Sequence, residues 1–414
     1  MKASILVRDM IAKSGSPALT GRARQRLLSY FEHVRAVPFG DQWVFGTALP
    51  PFPSKAFLRL LGGLGKAKQG RQRPSVIAIA ATNRCMLDCW HCYNASRKQE
   101  DLPLEALRRV ARELLDLGAA CVTLTGGEPL LRDDIEEICR CFDDRCSLNL
   151  STTGLGLTPS KAAGLKKAGL FALGVSLDSD RPAEHDRLRG RDGMFDVACR
   201  ALAVARDAGL FPYVRTMARP DLIPQERLMR LLEVAGRAGA LEVVILEPVP
   251  VGNLAGRSDV TLSQSDRGRL LEYQREVSNH GELPLLSTAT YLGSSAGFGC
   301  SAGLGHIYID GGGEICPCNM VPLSFGNVMK VSVAAAIKKM SRHFRCPRTT
   351  CVARLLGPHI PEGVLPTPPD VSEQLCREYL AVRHDCPGLY ESVSDAPTDR
   401  AQALSGGGSS LIYR

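Results

Sequence analysis

Three cysteines, Cys85, Cys89 and Cys92, stand in the run Cys85-Met-Leu-Asp-Cys89-Trp-His-Cys92, shortly after the apolar stretch Val76 to Ala81. The spacing is C-x3-C-x2-C. Three thiolates on one tight loop can hold three corners of a cubane iron–sulfur cluster. A four-iron cluster takes four ligands, so one iron is left for a ligand from outside the protein. An open coordination position is what a catalytic metal needs. The alternatives are a zinc knuckle or a disulfide pair. Zinc would want a fourth Cys or His close by; His91 is adjacent, but is directed away if Cys92 is directed inward.

A second motif, Gly126-Gly127-Glu128-Pro129, follows the next strand-like stretch, Cys121–Leu124. Paired glycines let the backbone approach a ligand closely, and exposed peptide groups together with Glu128 could receive an ammonium group. On its own the motif reads equally well as a strand-to-helix turn that needs glycine. In order and in place, the two motifs resemble the radical S-adenosylmethionine (SAM) superfamily. The resemblance implies that Cys85, Cys89 and Cys92 hold a [4Fe–4S] cluster and that SAM chelates its open iron. One electron would then cleave SAM to methionine and a 5'-deoxyadenosyl radical, which abstracts a hydrogen from substrate. It also implies further SAM contacts. Gly126, Gly127 and Glu128 would meet the methionine moiety. Ser151 and Thr153 end the third strand, Thr153 standing where the family more often has Asn. Ser176 and Asp178 would face the ribose hydroxyls, Arg215 the carboxylate. Val244 and Ile245 would pack on adenine, as would His91, at a position the family usually fills with an aromatic residue. For each of these the plain alternative is a polar or apolar residue at a strand end.

The elements that must position these residues alternate. Strands are expected at Val76–Ala81, Cys121–Leu124, Ser147–Ser151, Phe171–Leu177, Tyr213–Met217 and Leu241–Leu246. Helices are expected at Leu104–Leu117, Asp133–Cys141, Pro159–Ala168, Phe195–Ala208 and Pro224–Ala238, three of them ended by Gly169, Gly209 and Gly239. The fold class is therefore α/β, a partial (β/α)6 parallel barrel with right-handed crossovers, followed by a small C-terminal cysteine-rich iron–sulfur domain. In such barrels the site lies at the C-terminal ends of the strands, where every motif above falls. The expected division is a basic extension over 1–74, the barrel over 75–255, an auxiliary-cluster domain over 256–390 and a disordered tail over 391–414.

The C-terminal part carries the second chemical signal. Cys300, Cys316, Cys318, Cys346, Cys351, Cys376 and Cys386 fall close together. Cys300-Ser-Ala-Gly303, Ile307–Gly311, Gly313-Glu-Ile-Cys316-Pro-Cys318 and Phe325–Val328 resemble the SPASM or twitch extension of the same superfamily, which binds auxiliary iron–sulfur clusters. A strand over 306–309, a Gly-rich turn and a return strand would bring the later cysteines beside Cys300. Seven thiolates cannot fully ligate two clusters, and Cys346 and Cys351 stand four residues apart where the full pattern has C-x2-C. At least one auxiliary cluster is expected, with Cys300 and Cys318 the firmest ligands, Cys346 and Cys351 their partners, and Cys316 a further candidate. Zinc or unliganded thiols are the alternative.

The chain has 414 residues and a net charge of +8. Residues 1–75 hold thirteen Lys/Arg against three Asp/Glu, which is +10 and leaves −2 for the rest. Such a front segment suggests an acidic partner, or a solvated basic arm. The run Ser54–Lys68 sets Phe57, Leu58, Leu61 and Leu64 near one face, which suits an interfacial helix or, preferably, one packed under the barrel. No nucleic-acid motif stands out. Fifteen cysteines without an export signal or an 18-residue apolar run argue for thiolate ligands in a reducing, cytoplasmic setting, with peripheral membrane contact as an option. The partners implied are an external electron donor of flavodoxin or ferredoxin type and a peptide or small-molecule substrate. Relatives with such extensions often mature peptides or proteins, so that class comes first; a lipid or tetrapyrrole substrate comes second. A non-catalytic electron carrier is the reading outside enzymology, although a carrier needs no open iron.

Overall fold

The computed structural model describes residues 6–8, 22–67, 74–95, 97, 99–294, 297–361, 363 and 365–380. The expected tail over 391–414 lies outside them, as does Cys386. Beside a small antiparallel ribbon, β1 (Val37–Phe39) paired with β2 (Gln42–Val44), a nine-stranded sheet organises the chain. The six expected strands are β3 (Val76–Thr82), β4 (Cys121–Gly126), β5 (Ser147–Thr152), β6 (Ala172–Ser176), β7 (Phe211–Met217) and β8 (Glu242–Leu246). They run parallel in sequence order.

Two further parallel strands extend this set at both edges. β9 (Leu285–Thr288) pairs with β8. β10 (His306–Ile309) forms the expected hairpin with β11 (Ile315–Cys316), Tyr308 opposite Cys316. Its other edge hydrogen-bonds to β3, His306 beside Val76 and Ile309 beside Ile79. The cysteine-rich hairpin thus covers a sheet edge that would otherwise be unpaired, and it is joined to the strand that leads into Cys85.

Alternation along β3 separates two environments. Ile77 and Ile79 enter the main apolar core beneath the helices. Ala78 and Ala80 face the barrel interior, where their small side chains leave room for Tyr308, Cys316 and Tyr93. Helix Leu104–Leu117 buries Ala106, Leu107, Val110, Ala111, Leu114 and Leu115 and ends at Gly118 in the left-handed region, φ 118°.

The described part of the basic front segment, chiefly residues 22–67, packs against the barrel. Helix Lys55–Ala67 buries Phe57, Leu60 and Leu61, while Leu58 is 52% exposed. Tyr291 stacks on Tyr30 and donates its hydroxyl to the Tyr30 carbonyl at 2.8 Å. Thr47 closes the floor: its N–H donates to the fully buried Glu242 carboxylate at 2.8 Å, and its carbonyl accepts from Asn149 Nδ2 at 3.1 Å. With this end plugged, access is from the C-terminal ends of the strands. No helix among the described residues is long and apolar enough to cross a membrane.

Candidate active site

At those strand ends lies an open-sided cavity lined by polar groups from several strands. Cys85, Cys89 and Cys92 form one side of it, Gly126 and Gly127 the next, and Ser151, Ser176 and Arg215 line it from β5, β6 and β7. Thr153, Asp178 and His91 reach it too. The cysteine loop leaves β3 at Thr82, whose hydroxyl accepts the Arg84 N–H at 3.0 Å. It is then gripped from two sides. Asn253 donates its N–H to the Cys92 carbonyl at 2.9 Å and its Nδ2 to the Cys89 carbonyl at 2.8 Å. From the other side, Trp90 donates its N–H to the Leu188 carbonyl at 3.2 Å.

The thiols are poor acids as they stand. Burial raises Cys85, and it raises Cys89 against the pull of Arg189; Cys92 is pushed up to about 11, chiefly by burial. A metal must therefore displace their protons, and binding is expected to release them. Burial lowers His91 to about 4, leaving a neutral imidazole. His91 shares the cavity with Cys92 rather than facing away, because this stretch is an irregular turn with no strand-like alternation. Among the described residues no three His, Cys, Asp or Glu side chains converge closely enough for a single ion. The donor set that does face the cavity, three thiols on one loop with polar groups opposite, fits an open iron–sulfur cluster with an organic ligand beside it.

Gly126, at φ 126°, and Gly127 bring the β4 turn against the start of the cysteine loop. Gly127 N–H donates to the Thr82 carbonyl and Glu128 N–H to the Arg84 carbonyl, both at 2.8 Å. Glu128 itself requires a correction: its side chain does not line the cavity. It is fully buried, with Oε1 accepting from Leu130 N–H at 3.0 Å and Thr152 Oγ1 at 2.6 Å. Oε2 accepts from Thr153 N–H at 2.7 Å and Thr153 Oγ1 at 2.6 Å. The turn presents backbone to the cavity, while the carboxylate ties β4 to β5.

Val244 and Ile245 are likewise displaced from the expected contact. Val244 packs lower in the barrel with Phe211 and Tyr213, and Ile245 faces the helices; Leu246 is the β8 residue that lines the cavity. Ser151 Oγ accepts from Arg215 Nη1 at 2.6 Å. Asp178 is fully buried. Burial opposes its charge, but Arg189 at 2.8 Å, the two nearby histidines and the Met217 N–H outweigh this and hold it below the usual carboxylate range. Sequence reasoning missed Arg189 and Tyr93, and also Asn319 and Met320, which enter the cavity from the segment after β11. The available signal for helix Pro182–Arg189 was Pro182 at its start and Gly190 just past its end.

Behind that segment, Cys300, Cys318 and Cys351 are neighbours, spaced too widely to share a single ion. Cys300 and Cys351 share a hydrogen bond that makes Cys300 the more acidic of the two; burial pushes Cys318 up to about 12. The two other candidate ligands are engaged otherwise. Cys346 is in a disulfide. Cys316 lies in the barrel interior against Tyr308, raised to about 12 by burial despite the nearby Arg97 guanidinium. Cys300 and Cys318 border a second, mostly apolar cavity with Leu49, Leu60, Phe298 and His306. Asn319 lines both cavities.

The parallel α/β barrel thus presents a three-thiol loop and a glycine turn to one cavity at its strand ends. Residues 79–246 match the model of the radical SAM superfamily. The chain belongs to that superfamily; it is a radical SAM enzyme whose cofactors are a [4Fe–4S] cluster and SAM, and it requires an electron donor and a substrate. It is 30% identical over 312 residues to a protein of Nitratidesulfovibrio vulgaris named AdoMet-dependent heme synthase, covering 68% of this chain and 83% of that one. It is 32% identical over 210 residues to the GTP 3',8-cyclase of Marinobacter nauticus, covering 49% and 59%. Among solved structures, SuiB of Streptococcus suis bound to S-adenosylmethionine superposes with a TM-score of 0.57 at 17% identity, covering 72% and 76%, a likeness of fold.

Proposed function

We propose that Cys85, Cys89 and Cys92 ligate the catalytic cluster and that SAM lies across the strand ends toward Leu246. The observation that carries this is the single cavity onto which the three thiols, Gly126–Gly127, Ser151, Ser176 and Arg215 all open. When bound, the cluster supplies the electron that cleaves the SAM sulfonium to methionine and a 5'-deoxyadenosyl radical. The chain's own residues orient and enclose. Backbone groups of the Gly126–Gly127 turn receive the amino acid end, Arg215 offers its guanidinium to the carboxylate, and the plugged floor excludes water from below.

Residues 256–390 supply the auxiliary-cluster unit to the catalytic unit at 75–255. Cys300, Cys318 and Cys351 hold the auxiliary cluster. A cluster held there would supply an electron acceptor for substrate oxidation, and Asn319, next to Cys318, lines the catalytic cavity. The donor is a flavodoxin or ferredoxin type protein and the setting cytoplasmic. The apolar face of helix Lys55–Ala67 is turned into the protein, and of its described side chains only Leu58 offers an anchor, so a membrane role has little surface to work with.

For the substrate we place a tetrapyrrole-type molecule first, ahead of the peptide class. What supports this is the name of the relative that shares most of its length with this chain, a heme synthase. The test is anaerobic titration of the SAM-loaded holoenzyme with a carboxylated iron porphyrin, following the Soret band and 5'-deoxyadenosine. A saturable Soret shift with at least tenfold faster 5'-deoxyadenosine formation is expected, the scale of a productively oriented substrate. No shift and no stimulation, with stimulation by a candidate precursor peptide instead, would return the peptide class to first place.

A further inference from the structure

Helix Pro182–Arg189 has no part in the motifs, yet its C-terminal end is fitted to the cysteine loop. Gly190, at φ 69°, sits where a Cβ would come within 2.8 Å of the Asp88 carbonyl. Leu188 accepts the Trp90 N–H. Between these contacts the Arg189 side chain runs inward, 6% exposed, and its guanidinium is shared between two groups. Nη2 lies 2.8 Å from Asp178 Oδ2. Nη1 donates to Cys89 Sγ at 3.6 Å.

Asp178 is held in its turn. Its Oδ1 accepts from Thr216 Oγ1 and Met217 N–H, both at 3.3 Å, its N–H donates to His185 Nδ1 at 3.0 Å, and its carbonyl accepts from Arg219 Nη1 at 2.8 Å. Among the described residues Cys89 alone of the three loop thiols receives a side-chain hydrogen bond from a cation. A buried Arg–Asp pair gives little net stability by itself, and a merely structural pair has no need of sulfur. A cationic N–H on a cluster thiolate does have a chemical effect. It favours the more negative, reduced cluster, so it raises the reduction potential.

We propose that Arg189 is a positioning residue that tunes the Cys89 corner of the catalytic cluster upward in potential, with Asp178 as the group that holds and partly neutralises it. This rests on the reading that Cys85, Cys89 and Cys92 bind the cluster. It predicts opposite effects for two variants. Asp178→Asn keeps the cation and frees it from its carboxylate, so the potential rises. The double variant Asp178→Asn with Arg189→Gln removes both charges and leaves no buried charge unpaired, so the potential falls. At a fixed solution potential the reduced-to-oxidised ratio of the double variant is expected to drop about tenfold, which for a one-electron couple is about 59 mV.

The experiment is a redox titration of the reconstituted full chain without substrate. Electron paramagnetic resonance follows the signal that Cys85→Ala abolishes, so auxiliary clusters do not contribute. Iron and sulfide content are measured alongside. Shifts of opposite sign in the two variants support the inference. Unchanged potentials in both, or shifts of one sign, overturn it even if thermal stability changes. If the double variant does not fold, Arg189→Lys replaces it, keeping the charge but losing the two-pronged contact. A smaller fall supports the inference and no change overturns it. A wild-type chain that takes up no Cys85-dependent cluster removes the cluster reading itself, an outcome recognisable from iron content rather than from potential.

Discussion

Gly127→Ala is expected to cost at least about a hundredfold in SAM affinity while iron incorporation persists, the scale of a misplacement of about 1 Å in a binding site. A Cβ on Gly127 would lie 2.0 Å from the Arg84 carbonyl oxygen, 2.5 Å from its carbon and 2.8 Å from the Asn83 oxygen. All three are backbone atoms, so no side-chain rotation relieves the clash. The same turn is bolted to the loop by the Gly127 and Glu128 N–H bonds to Thr82 and Arg84. The added methyl must push the β4 turn off the loop, and the turn carries the backbone groups that face the cavity. The clash falls on Asn83 and Arg84, ahead of the first cysteine, so all three thiols remain available to iron. Equilibrium binding of SAM to the reconstituted variant checks this. Gly62→Ala is the control, since nothing lies within 4 Å of its Cβ and it sits in a helix where alanine is preferred.

Glu128→Gln is expected to be nearly as damaging, through stability rather than through direct contact. Four donors converge on two carboxylate oxygens: the N–H groups of Leu130 and Thr153 and the hydroxyls of Thr152 and Thr153. A glutamine offers one oxygen and one NH2. The hydroxyls can turn to accept, but a backbone N–H cannot. Whichever way the amide is placed, Leu130 or Thr153 is left with a buried N–H facing another donor. An unsatisfied buried donor costs about 1–3 kcal/mol, which chemical denaturation of the apo chain can read. SAM affinity should fall with it, because the link between β4 and β5 sets where Gly126 and Ser151 stand. A variant of wild-type stability would contradict this bonding.

Much of this arrangement was legible because it is local. The cysteine spacing, the glycine turn and six strand–helix repeats each fall within a few tens of residues. The departures are of other kinds. β9 is Leu-Leu-Ser-Thr, too short to show alternation. β10 was readable as a hairpin strand, but nothing in its own residues names β3 as its second neighbour. Val244 and Ile245 could not both face the cavity, since consecutive strand residues point to opposite sides; Glu242, Val244 and Leu246 share the inner face, and only the last reaches the rim. Glu128 was read as a ligand because its motif is local, whereas its hydrogen bonds come from the end of the next strand. Helix Pro182–Arg189 is so rich in charge that no apolar period marks it, and the role of Arg189 emerges only when Cys89 and Asp178 are seen on either side of it.

The central claim is that the Cys85–Cys89–Cys92 loop makes an open cluster that cleaves SAM. The most direct measurement is anaerobic reconstitution, reduction with dithionite in the presence of SAM and the carboxylated porphyrin, and quantitation of 5'-deoxyadenosine against the Cys85/Cys89/Cys92→Ala triple variant, with the paramagnetic resonance spectrum recorded before and after SAM. The account predicts 5'-deoxyadenosine from the wild type alone and a cluster signal that SAM perturbs. A fully iron-loaded wild type that makes none, and whose signal SAM leaves unchanged, would contradict it.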